Sequence, residues 1–181
     1  GIMLSSFGNA LGGSVGSNLT YANSGTPSQT NTARSSGEIK FVNTTGNGVT
    51  SEIKFGGYVK GSTTFSEKMR LDSSGNVGIA IVPETDWHTS YKALQIGDSS
   101  AFFGKVAGTE AFFSSNAKYT SGGWKYIANG TANLIDMQTG VTRFRSAVSG
   151  TAGNAISLST NMIIDASGKV GIGAGAPLAK S

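Results

Sequence analysis

The 181-residue chain predicts an all-β protein, and three observations carry that expectation. One strand–turn–strand pattern is written twice, at Met69–Ile79 and again at Met162–Ile172, 93 residues apart. Charged residues make up 13% of the chain, about half the share usual in globular domains, while the 27 glycines are about twice the usual frequency. Gly follows no three-residue period, which excludes collagen, and few residues favour helix. Short apolar segments alternate with polar residues between turn formers, the pattern of half-buried strands.

Residues 1–36 come first, and no charge appears before Arg34. Gly, Ser, Asn and Thr dominate there, with sparse apolar residues such as Leu4, Leu19 and Tyr21. Disordered tails are usually charged, so two readings stand: an extended shaft wound with copies of itself, or a linker. Residues 37–83 read as a meander. Glu38-Ile39-Lys40-Phe41 and Glu52-Ile53-Lys54-Phe55 each place Ile and Phe on one face and Glu and Lys on the other, with a turn at Thr44–Gly48 between them. A strand around Tyr58-Val59 then leads into the first hairpin. There, Met69 and Leu71 alternate with Lys68 and Arg70, Asp72 and Gly75 supply the turn, and Val77 and Ile79 resume the alternation. Met162, Ile164, Asp165, Gly168, Val170 and Ile172 hold the same positions in residues 161–181.

Residues 84–160 are the aromatic-rich part, expected as a broader β knob. Pro83–Trp87 reads as one helical turn, too short for a helix. Strands are expected around Leu94 and Ile96, around the doublets Phe102-Phe103 and Phe112-Phe113, over Leu134–Phe144 and over Ala155–Leu158, with a tight turn at Asn129-Gly130. Nine of the sixteen aromatic residues lie between Trp87 and Tyr126. The four phenylalanines of the doublets read as core. Trp87, Tyr91, Tyr119, Trp124 and Tyr126 read equally well as core or as faces for sugar rings.

Several chemistries find no support in the residues. The fourteen Lys and Arg are scattered singly, so the net charge of +4 builds no nucleic-acid stripe. With no cysteine there is neither disulfide nor thiolate metal site, as suits assembly in a reducing cytoplasm, and one histidine, His88, cannot make a closed zinc site. No stretch has the length of a membrane helix. Gly1–Leu4 lacks the basic flank of a signal peptide. Asp72–Asn76 offers a single carboxylate where calcium loops alternate several, so it reads as a turn. No catalytic residue, metal or cofactor is expected. Paired acids among Asp86, Asp98, Glu110 and Asp136 are the remaining candidates for glycan cleavage, without a recognisable signature.

Met69–Ile79 resembles the hairpin that recurs in tail fibres and tailspikes of tailed bacteriophages. The usual Gly-Thr-Thr-x-Pro continuation is altered here, in Ala80–Pro83 and Gly173–Pro177, but the proline is kept. Tyr91–Gly97, Gly123–Ile127 and Ser149–Ile156 resemble a cassette of the distal parts of such fibres, so the likeness covers 37–177. It implies an elongated homotrimer of short strands and hairpins, with an intertwined shaft and a broader knob. It implies attachment of a virion, at the phage tail tip, to a bacterial surface polysaccharide or outer-membrane receptor. The other partners are the rest of the phage tail, and synthesis takes place in the host cytoplasm. A glycan depolymerase, a purely structural shaft segment and a bacterial surface adhesin are the alternatives. Fibres of this kind often carry a chaperone domain that cuts itself off after a serine, which makes Ser181 the expected autocleavage end. Function tends to sit on loops held by a scaffold. The expected receptor-binding residues are therefore Trp87, His88, Tyr91, Trp124 and Tyr126, with Lys92, Lys125 and Asn129 as polar partners. Alanine at Trp87 or Trp124 is expected to weaken cell binding without unfolding the protein.

Overall fold

Both copies of the repeated turn close in the same way. Asp72 Oδ1 accepts the N–H groups of Ser74 and Asn76 at 2.9 and 2.8 Å, and Asp165 Oδ1 accepts those of Ser167 and Lys169 at 2.9 and 2.9 Å. Gly75 and Gly168 take φ of 83° and 79°, a conformation only glycine enters without strain. The flanking registers agree as well: Met69 faces Ile79 and Leu71 faces Val77, as Met162 faces Ile172 and Ile164 faces Val170. The carboxylate at this position is thus spent on backbone donors, as the turn reading requires. Asp165→Ala should lower the melting temperature and cost roughly 1–2 kcal/mol, the loss of charge-assisted hydrogen bonds at a partly exposed site; thermal unfolding by circular dichroism checks it.

The computed structural model describes Met3–Ser6, Ser17–Ala22, Ser36–Asn43, Ser51–Tyr58 and residues 64–173, all strand, turn and coil. The chain divides at Val82/Pro83 into two units. The first is an antiparallel meander of six strands: β1 (Met3–Ser6), β2 (Ser17–Ala22), β3 (Ser36–Asn43), β4 (Ser51–Tyr58), β5 (Ser66–Leu71) and β6 (Val77–Ile79). The Glu-Ile-Lys-Phe repeats pair with each other, and Ile39, Phe55, Met69 and Ile79 form one cross-strand row. Phe41, Ile53, Leu71 and Val77 form the next. The other face sets Lys40 opposite Lys54 and Lys54 opposite Arg70, an arrangement that would repel. Interleaved carboxylates offset it: Glu52 lies 3.0 Å from Lys54 and 3.4 Å from Arg70, and Glu67 lies 2.5 Å from Arg70. The hydrogen bond from Arg70 holds the Glu67 carboxyl below the usual range.

The second unit has a sheet in the order β7 (Tyr91–Ile96), β8 (Ser100–Lys105), β9 (Ala111–Ser115), β12 (Gly130–Gln138), β13 (Val141–Gly150), β14 (Ser159–Ile164), β15 (Val170–Ile172). Between β9 and β12 the chain leaves the sheet to make a separate hairpin, β10 (Lys118–Thr120) and β11 (Gly123–Lys125). Alternation drives the inner face into the core: Tyr91, Ala93, Ala101, Phe103, Phe112 and Leu134 are buried together with Trp87 from the preceding loop. Tyr119 and Trp124 of the hairpin pack against that cluster. A second cluster, Ala117, Tyr126, Ala132 and Ala147, shares Trp124 and Leu158 with it. The second copy of the repeated hairpin, in residues 161–173, continues this sheet through the pairing of β13 with β14.

Three local expectations are corrected. The segment after Pro83 makes a turn at 85–86 and no helical turn, because Glu84 N–H is drawn to the Gln95 side chain and Glu84 and Asp86 reach Lys118. Leu134–Phe144 is two strands joined by Thr139-Gly140, both at positive φ (53° and 74°), the two-residue turn that suits a twisted hairpin. Ala155–Leu158 is coil with a single bridge, Lys125 to Ala155. The expected turn at Thr44–Gly48, Val59, most of residues 1–36 and the expected cleavage end at Ser181 lie outside the described residues.

Candidate binding surface

The loop of residues 83–90 and the β10–β11 hairpin bring four of the eight expected residues together around Tyr119. His88 lies 5.6 Å from Tyr119, Tyr91 5.5 Å and Trp124 5.2 Å, and Trp87 joins through Phe103 at 4.9 Å. The assembly is a core and not a platform. Trp87 is 7% exposed, Tyr91 8% and Tyr126 4%, which corrects their expected place on the receptor-facing surface. The reason is that the loop folds its apolar rings onto the inner sheet face, where Phe103 and Phe112 stack at 4.8 Å. Trp124 is half-buried, with its ring 5.9 Å from Phe103 and 5.5 Å from Phe112. His88 is half-buried, and its Nδ1 accepts the Ser90 N–H at 3.2 Å.

The polar candidates divide. Lys92 is exposed and, next to buried Tyr91 on β7, belongs to the opposite face of the sheet. Lys125 is half-buried on β11. Asn129 is exposed, and its Oδ1 accepts the Ala152 N–H at 2.9 Å.

Three of the four candidate acids, Asp86, Glu110 and Asp136, are engaged with cations. Glu84 and Asp86 each approach the buried Lys118 ammonium to 2.6 Å. Burial alone would lower the Lys118 pKa, but hydrogen bonds to Asp86 and Glu84 outweigh it and raise the value. Glu110 lies 2.5 Å from Lys105 and accepts the Tyr91 hydroxyl; these bonds, that to Lys105 foremost, hold its carboxyl below the usual range. A general acid needs the opposite shift. Burial first, then Glu110, pushes the Tyr91 hydroxyl up. Asp136 is fully buried, 3.0 Å from Arg143 and 3.5 Å from Arg145, while Asp98 lies exposed in the β7–β8 turn. Among the described residues no group of three His, Cys, Asp or Glu is placed to hold a metal.

The exposed aromatic surface is on the outer sheet face, where Phe102 is 42% and Phe113 51% exposed, with rings 4.7 Å apart. This corrects the reading of both doublets as core: only Phe103 and Phe112 are buried. The signal was in the sequence, since adjacent residues of a strand point to opposite faces and a doublet cannot bury both rings on one side. Phe102, Phe113, Ile135 and Phe144 line an open depression of about 670 Å³, together with Asn133, Arg145 and Asn161. No model of a known protein family matches the chain, and no curated protein matches it.

Proposed function

We propose that this chain is a receptor-binding segment of a tailed-phage tail fibre, a homotrimer that attaches the virion to a bacterial surface polysaccharide or outer-membrane receptor. The observation that carries the reading is the pair of hairpins with the same carboxylate-closed turn and the same register, one in each unit of a chain whose described residues are strand, turn and coil. Repeated closed turns of this kind suit a fibre, whose length is set by stacking short strand modules. The acids engaged with Lys105, Lys118, Arg143 and Arg145 support attachment over glycan cleavage. In this reading the receptor contacts fall to exposed Asn129 and half-buried Lys125, Trp124 and His88, while Lys92 lies on the other face of the sheet. Three modest sites on one trimer give avidity beyond any single site.

The burial of Trp87, Tyr91 and Tyr126 favours a second reading, a purely structural fibre segment. Fluorescently labelled protein applied to a panel of bacterial strains separates the two. Attachment predicts saturable binding to at least one strain, weakened severalfold in Lys125→Ala/Asn129→Ala. Binding to none assigns the structural reading, and shortening of purified surface polysaccharide assigns cleavage.

A further inference from the structure

We infer that the outer face of the sheet formed by β7–β9 and β12–β15 is an interface between copies of this chain. The pairing registers lay one continuous row across seven strands. Leu94 pairs with Phe102, Phe102 with Phe113, Phe113 with Ile135, Ile135 with Phe144, Phe144 with Met162 and Met162 with Ile172. Every member is apolar, none is buried, and Ile172 is 80% exposed. At strand spacing the row is about 29 Å long, far beyond the reach of a small ligand.

The flanking rows show what kind of partner fits. On one side run Gly104, Ala111, Met137, Thr142, Ile164 and Val170, begun by Lys92. On the other run Ile96, Ser100, Ser115, Asn133 and Ser146. Across the three rows Lys92 is the sole ionisable group, and it stands at the margin. The rows thus offer no charge to an acidic or basic partner, since Arg145, which also lines the depression, is turned to Asp136 and the Leu158 carbonyl, and the polar side chains gather on one side of an apolar row. A second copy of the same uncharged face is its complement, with the serine and asparagine row as a wet rim.

The area agrees. From their exposures, Ile96, Phe102, Phe113, Phe144, Val170 and Ile172 together present about 600 Å² of apolar surface, the upper end of what a monomer leaves uncovered. With the half-buried members of the row the face approaches the roughly 800 Å² per partner of a stable interface. The inference takes only the number of copies from the fibre reading; the face follows from the registers.

The test is light scattering on the full chain and on Phe113→Lys, Ile172→Lys and Val106→Lys. Val106 is a 64% exposed apolar residue in the β8–β9 turn, away from the row, and serves as the control. Ile172 makes so little contact with its own chain that lysine there leaves folding intact, which circular dichroism verifies, so this variant decides even where Phe113→Lys fails to fold. The wild type and Val106→Lys should give a multiple of the 18.4 kDa chain, three under the fibre reading. Phe113→Lys, nearer the centre of the row, should dissociate at concentrations about 30-fold higher or more, and Ile172→Lys, at its end, at concentrations severalfold higher. An oligomer indifferent to Ile172→Lys and to a folded Phe113→Lys overturns the inference and leaves the fibre reading standing. A wild-type monomer overturns both the inference and the trimer, and assigns the face to a foreign partner or to a segment of this chain outside the described residues.

Discussion

Trp87→Ala is expected to destabilise the second unit by about 3–5 kcal/mol, the cost of deleting a large buried aromatic. Trp87 is the lid of the inner core: it rests on Phe103 at 4.9 Å, and the cluster beneath it holds Tyr91, Phe112 and Leu134. Nothing on the loop of residues 83–90 can collapse into the space, because Lys118 ties Glu84 and Asp86 in place. Urea unfolding followed by Trp124 fluorescence should show the midpoint falling with an unchanged slope. Trp87→Phe gives the internal comparison. The indole Nε1 is buried without a partner among the described residues, so phenylalanine removes a stranded donor while keeping most of the volume. It should cost less than about 1.5 kcal/mol. Loss of cell binding in Trp87→Ala would then report unfolding and not a receptor contact.

Gly150→Ala should cost about 3 kcal/mol, although it adds one methyl group. A Cβ at that position would stand 2.2 Å from Cε2 and 2.6 Å from Cζ of Tyr126. The ring cannot swing aside freely, because its hydroxyl donates to the Val148 carbonyl at 2.6 Å and its body fills the second cluster. Either the hydrogen bond breaks or β13 shifts away from β12. The double variant Gly150→Ala/Tyr126→Ala isolates the cause. With the ring gone the added methyl should cost little, so the two single losses should sum to well above the double. Additive losses would place the cost in the β13 backbone instead.

The all-β class and the hairpins were legible because their causes are local. Asp72 and Gly75, or Asp165 and Gly168, close the turn within five residues, and alternation does the rest. The chain divides at Val82/Pro83, beside the proline that interrupts the alternation. What escaped was set by contacts distant in sequence. Trp87 lies in a loop without periodicity, and only the fold brings it onto Phe103, sixteen residues on. The Arg143–Asp136 pair needs the register of β12 and β13, which in turn needs the Thr139-Gly140 turn that a continuous reading of 134–144 hides. The exposed ring of each doublet, Phe102 and Phe113, follows from strand parity alone; counting aromatics without parity put all four in the core.

The two repeated turns also act as punctuation. Each takes its closing bonds from its own five residues, and each hands the chain on identically: Ala80 N–H to the Lys68 carbonyl, Gly173 N–H to the Asn161 carbonyl, both at 2.8 Å. A segment spliced in between them therefore enters and leaves by joints that depend on none of its own side chains. In the language of inheritance, a stretch exchanged between the marks preserves both only where its last strand still pairs with β14 as β13 does. Grafting a foreign β segment between Ala80 and Asn161 is the engineering form of the same condition.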